Sequence, residues 1–253
     1  MDLGLRDRVV VVTAASSGLG RATAEQLVAE GARVVLVARR EDVLAEVVAE
    51  LGAERAVSLT VDLSDPTAGE RACRLALDTY GRLDGALVSV GGPAAGSALD
   101  TPDSDWLAGF EAVFLAALRV TRAVVAAGTA SDLALAWVLS TSVKAPIDGL
   151  AVSNGLRPGL AMLVKQLADE LGPDGTRVVG LMPGRVETDR VKHLDSLAAD
   201  PVAQRAASEA GIPLRRYGRP EEFGRIATFL LSPAASYLTG CVVAVDGGAT
   251  RAL

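Results

Sequence analysis

The segment Thr13-Ala14-Ala15-Ser16-Ser17-Gly18-Leu19-Gly20 lies between four consecutive valines, residues 9–12, and a helically spaced stretch beginning at Arg21. Strand, tight turn and helix in that order make an anion site from main chain: glycines let the backbone approach a pyrophosphate, and the free amides and positive dipole of the helix start attract its charge. Arg39-Arg40 follows a second apolar run, where a guanidinium can pair with a phosphate through two parallel hydrogen bonds. Ser140, Ser153 and Arg157 add a different chemistry. A serine hydroxyl is a far weaker acid than a phenol and arginine stays charged at any working pH, so these groups donate hydrogen bonds rather than exchange protons near neutrality. His193 is the only histidine.

The elements that must position these residues are legible in the hydropathy. Short apolar runs recur at 9–12, 33–38, 56–61, 85–90, 134–139, 177–181 and 241–245, as expected of strands buried on both faces of a parallel sheet. Helical spacing fills the intervals at 20–30, 41–51, 67–80, 103–127, 160–171 and 220–230. Right-handed crossovers then predict an α/β, three-layer, doubly wound Rossmann fold: a seven-stranded parallel sheet with helices on both faces and ligands at the carboxyl ends of the strands. The small-residue stretches 91–97 and 198–211 read as loops. The helix near Phe110 is apolar on more than one side, which predicts a subunit interface and a homodimer or homotetramer.

The chain has 253 residues, half of them apolar, and no linker, repeat or charge block divides it, so one domain, 1–253, is expected. A net charge of −6 without a basic cluster argues against nucleic acid as a partner. Neither a signal peptide nor a membrane span is visible, and Cys73 and Cys241 lack metal-ligand spacing, so reduced thiols, no metal and a cytoplasmic compartment are expected.

The glycine turn resembles the Thr-Gly-x-x-x-Gly-x-Gly motif of the short-chain dehydrogenase/reductase family, with Ala14 in place of the first glycine. Asp62-Leu63 after the third strand, Pro183-Gly184-Arg185-Val186-Glu187-Thr188 and the closing 239–248 segment resemble further family elements in the same order. The resemblance spans essentially the whole chain and implies a nicotinamide dinucleotide held by Thr13, Ala14, Ser16, Ser17, Gly18 and Leu19. It places the adenine against Asp62 and Leu63, and the nicotinamide carboxamide against Pro183, Gly184, Val186 and Thr188. Alanine suits position 14 if its φ is negative and the phosphate is not in direct contact, which predicts weakened binding. An acid at the end of the second strand would select NAD(H); Arg39 stands there instead, so NADP(H) is preferred and NAD(H) remains possible.

Such proteins usually reduce or oxidise a carbonyl/alcohol pair with an asparagine, a serine, a tyrosine and a lysine. Aligned here, the asparagine position is Val113, the serine is Ser140 with Ser142 as the alternative, and Ser153 and Arg157 occupy the places of Tyr-x-x-x-Lys. Ser140, Ser153 and Arg157 are expected to form a cationic pocket for a carbonyl or carboxylate oxygen, with Arg157 also holding the nicotinamide ribose. If the helix starts at Pro158, Arg157 is its cap and Ser153 lies on a loop. His193, Lys144 and Asp148 are further candidates near the cleft, and a short lid for a small, apolar substrate is expected near 189–212. The resemblance is nearest to 3-oxoacyl-carrier-protein reductases and implies an atypical NADP(H)-dependent oxidoreductase; the alternative is a non-redox or inactive cofactor-binding relative, a sensor or a lyase or dehalogenase-like protein.

Overall fold

All seven apolar runs are strands in the computed structural model, which describes residues 2–251. They are β1 (Val9–Thr13), β2 (Arg33–Ala38), β3 (Ala56–Thr60), β4 (Gly85–Val88), β5 (Ala134–Val138), β6 (Arg177–Pro183) and β7 (Val242–Val245), all parallel in the order β3-β2-β1-β4-β5-β6-β7. The helices are α1 (Gly18–Ala29), α2 (Glu41–Leu51), α3 (Ala68–Tyr80), α4 (Asp103–Gly109), α5 (Ala116–Ala127), α6 (Ala151–Leu171), α7 (Asp189–Ser196), α8 (Pro201–Gly211) and α9 (Pro220–Leu231).

Successive side chains of a strand point to opposite faces, so the valines of β1 feed two cores. Val9 and Val11 join Trp137 and the buried faces of α3, α5 and α6, whereas Val10 and Val12 join Leu36, Phe223 and the buried faces of α1, α2 and α9. The order of strands turns back between β1 and β4, and the turns after these strands open onto the face where doubly wound sheets take ligands. No helix among the described residues is long and apolar enough to cross a membrane.

Three segments depart from the sequence reading. The 103–127 helix is interrupted by a π-helical turn, Phe110–Leu115, which carries the buried Val113. The 198–211 stretch is not a loop: Asp200 accepts the amides of Val202 and Ala203, Pro201 takes the first helical position, and alanines propagate α8. Helix α6 begins at Ala151 and runs through Pro158, so Pro158 is not its start. An interior proline costs about 3 kcal/mol. Burying Val152 on the preceding turns contributes about 1.5–3 kcal/mol, and the partly buried Leu156 adds to it, which offsets that cost. Arg157 is therefore not a cap and Ser153 is not on a loop; they stand one turn apart on one face.

Candidate active site

The site begins where β1 ends. The Thr13 hydroxyl donates to the Ser89 carbonyl at 2.6 Å and accepts the Ser89 amide at 2.8 Å, tying the ends of β1 and β4 together beneath the turn. Ala14 has φ +51°, in the left-handed region, so the negative φ that would have suited alanine is not the one adopted. Gly18 has φ +58° and faces the Thr188 methyl. A Cβ on Gly20 would lie 2.5 Å from the Ala14 carbonyl and 2.9 Å from that of Thr13, so only glycine permits the helix to start this close to the strand.

Two arginines stand at the end of β2. Arg40 donates to the Ser16 and Ser17 hydroxyls at 3.1 Å each, while Arg39 lies 3.6 Å from the Asp62 carboxylate, both side chains largely exposed. The Ser64 amide and hydroxyl, with help from Arg39, hold the Asp62 carboxyl below its ordinary range. Leu63 packs at the edge of the core.

A cleft of about 890 Å³ runs from the glycine turn across the ends of β4, β5 and β6. Ala14, Ser17, Gly18 and Leu19 line one end; Pro183, Gly184, Val186 and Thr188 line the other side, and Ser140, Ser153 and Arg157 lie on the same wall system. Thr13 and Ser16 sit behind the turn, and Arg39, Asp62 and Leu63 lie beyond the lining. Ser142 is buried behind Ser153, its hydroxyl 3.3 Å from that of Ser153, and its amide donates to Ser140 Oγ at 3.2 Å. Lys144 borders the cleft; His193 and Asp148 are exposed outside it.

Arg157 is 7% exposed. Its Nη1 donates to the Val138 and Leu139 carbonyls at the end of β5, at 2.9 and 3.2 Å. Burial and then the nearby charge of Arg190 push its pKa down to about 10, still above neutrality. Arg190, at the start of α7, reaches over Gly92, where a side chain would run into its guanidinium, and donates to the Pro93 carbonyl at 3.1 Å. The Asn154 side chain clasps the main chain of Ile147 at both its amide and carbonyl, fixing the 144–150 loop to α6, and Gly155 lets Trp106 of α4 close on the same turn.

A family profile described as Enoyl-(Acyl carrier protein) reductase matches residues 13–250. The chain belongs to the short-chain dehydrogenase/reductase family. It is 31% identical to a meso-2,3-butanediol dehydrogenase of Serratia marcescens over 96% of this chain and 95% of that one. The L-sorbose reductase of Gluconobacter frateurii, solved with NADPH and L-sorbose, superposes with a TM-score of 0.92 at 29% identity, covering 100% of both chains. An NADPH-bound short-chain oxidoreductase of Pseudomonas aeruginosa PAO1, described as containing an atypical catalytic center, superposes with a TM-score of 0.89 at 29% identity, covering 98% of this chain and 100% of that one.

Within this short-chain dehydrogenase/reductase the residues present fit a dinucleotide: the turn from Ser17 to Gly20 at the start of α1 lines the cleft, and no acid stands at Ala38, Arg39 or Arg40 to repel a 2′-phosphate. Sequence reasoning missed Arg190, which lies two residues past Thr188 without any spacing signal, and it chose Arg39 where Arg40 is the arginine bound to the turn. It also left the contact of Ser142 with Ser153 open.

Proposed function

We propose that the protein is an NADP(H)-dependent oxidoreductase acting on a carbonyl/alcohol pair through a site that polarises the oxygen by hydrogen bonds and charge, without a side-chain acid. The observation that carries this reading is that Ser153 and Arg157, one turn apart on α6, share a single cleft with Ser140 and the glycine turn. NADPH, when bound, supplies the hydride. Thr13, Ala14, Ser16, Ser17, Gly18 and Leu19 hold its pyrophosphate, Arg40 or Arg39 its 2′-phosphate, Asp62 and Leu63 its adenine, and Pro183, Gly184, Val186 and Thr188 its nicotinamide end. Ser140 and Ser153 orient the substrate oxygen, Ser142 backs Ser153, and the Arg157 charge stabilises negative charge developing on that oxygen. The proton is taken from water, and α7 and α8 form the lid.

Leu107, Phe110 and Met162 are exposed beside the π turn, with Phe110 and Phe114 stacked at 5.1 Å, and this apolar patch supports a homodimer or homotetramer. A second reading, a cofactor-binding relative without turnover, is favoured by Val113, which is buried in the core and offers no polar group to a proton relay. Fluorescence titration with NADPH tests both, and absence of binding sinks both. If NADPH binds, a carbonyl panel followed by NADPH absorbance separates them: consumption that Ser140→Ala slows supports the oxidoreductase, and binding with no consumption supports the second reading.

A further inference from the structure

Arg157 and Arg190 both line the cleft, and the charge of Arg190 is near enough to act on Arg157. Arg157 approaches from below, clamped to two β5 carbonyls; Arg190 approaches from α7, braced on the Pro93 carbonyl. Neither forms an ion pair among the described residues, whereas Arg185, beside them, is neutralised by Asp195. A buried guanidinium such as Arg157 without a carboxylate partner is costly, and the second cation nearby repels it, so an anion held between them would relieve both. Asp189 is the one acidic residue in the lining and is exposed.

The cofactor phosphates do not meet this need at Arg157. The phosphate turn follows β1 and the carbonyls that hold Arg157 end β5, with β4 between them, a separation of about 10 Å at ordinary strand spacing. The anion belongs at the substrate end, beside Ser153. Farther out the wall is apolar, with Ile147, Leu150, Val191 and Leu194.

We infer that the substrate is a small oxo acid or hydroxy acid, its carboxylate gripped between Arg157 and Arg190 and its remainder against the apolar wall. The inference rests on the oxidoreductase reading above and names its substrate class. An apolar substrate without charge, the sequence expectation, would leave both guanidinia unpaired.

Calorimetric titration of the NADP⁺-saturated protein, which cannot reduce an oxo group, tests it with acetate, 2-oxobutyrate and phenylpyruvate, each beside its methyl ester. At least one acid is expected to bind about tenfold or more tightly than its ester, as a desolvated charge pair requires. Arg190→Ala, at an exposed position, should cut that ratio to near unity, and Arg157→Met should do the same. The inference is overturned if no acid outbinds its ester, or if Arg190→Ala weakens NADP⁺ binding and leaves the ratio intact, which would assign Arg190 to the cofactor. A ribose-binding role for Arg157 alone is neutral and gives equal binding of acid and ester. Failure of NADP⁺ to bind defeats the oxidoreductase reading instead, and the same acid-ester pairs titrated into cofactor-free protein still decide the anion site.

Discussion

The two ends of the cleft are built by different means. At the β1 end, binding is done by backbone: the Gly18–Gly20 turn, the free amides of α1 and the Thr13–Ser89 staple fix where the chain runs. At the β5 end the cleft is lined by side chains of one helical turn, Ser153 and Arg157, set on carbonyls and a neighbouring hydroxyl. A site made of backbone cannot change without moving an element, whereas a site made of side chains can be rewritten on an unchanged fold. On the proposed function, this accounts for a turn that departs from the family motif at Ala14 alone beside a substrate end that departs from it at Val113, Ser153 and Arg157.

The sharpest way to break the contrast is to give the backbone site a side chain. Gly20→Val places atoms on the Thr13 and Ala14 carbonyls and should destabilise the fold by about 3 kcal/mol with loss of NADPH binding, read by thermal melting and fluorescence titration. Arg157→Met makes the opposite cut. NADPH affinity should hold within a few-fold while turnover of the best carbonyl substrate falls about 10²-fold or more, measured by steady-state kinetics.

The pH dependence of that same guanidinium follows from its depressed pKa. Arg157 is charged in the folded protein below about pH 10, so acid binding and turnover should be level from neutrality upward and decline as pH rises through about 10. The sign for folding is reversed. A cation with a lowered folded pKa penalises the native state where it is charged, and the penalty lifts as pH climbs above about 10 toward the ordinary guanidinium value, an effect that Arg157→Met should remove.

Two smaller tests sharpen the cofactor end. Arg40→Asp should lower the preference for NADPH over NADH by about tenfold or more, because a carboxylate at the turn repels the 2′-phosphate; Arg39→Asp, beside Asp62, should do less. Ala14→Gly relieves a left-handed alanine and should stabilise by about 0.5 kcal/mol after the gain in unfolded-chain entropy is deducted, with slightly tighter NADPH binding.

The sheet was legible because burial on both faces leaves uninterrupted apolar runs, and the glycine turn because its position after the valines has few other uses. What was illegible depended on contacts distant in sequence. Pro158 reads as a helix start until Val152 is seen to be buried and Leu156 packed against the core, and the 198–211 stretch reads as a loop until Asp200 caps it. The π turn at Phe110–Leu115 leaves no mark on hydropathy, since its residues keep helical spacing on either side. Arg190 has no motif; only the close passage of α7 over Gly92 brings it to the cleft.

Pro158 has one further effect. Having no amide proton, it leaves the Asn154 carbonyl outside the helical ladder, so one backbone bond fewer ties the shorter, N-terminal part of α6 to the longer, C-terminal part. The longer one, with Leu160, Val164 and Ala168 in the core, opens only with the whole protein. The shorter one, carrying Ser153 and Arg157, is held to its neighbours by Asn154 and Arg157 and should exchange its amides somewhat sooner, which hydrogen exchange would read. On the proposed function, the residues that meet the substrate ride on the part of the helix that its own ladder holds least and its neighbours hold most.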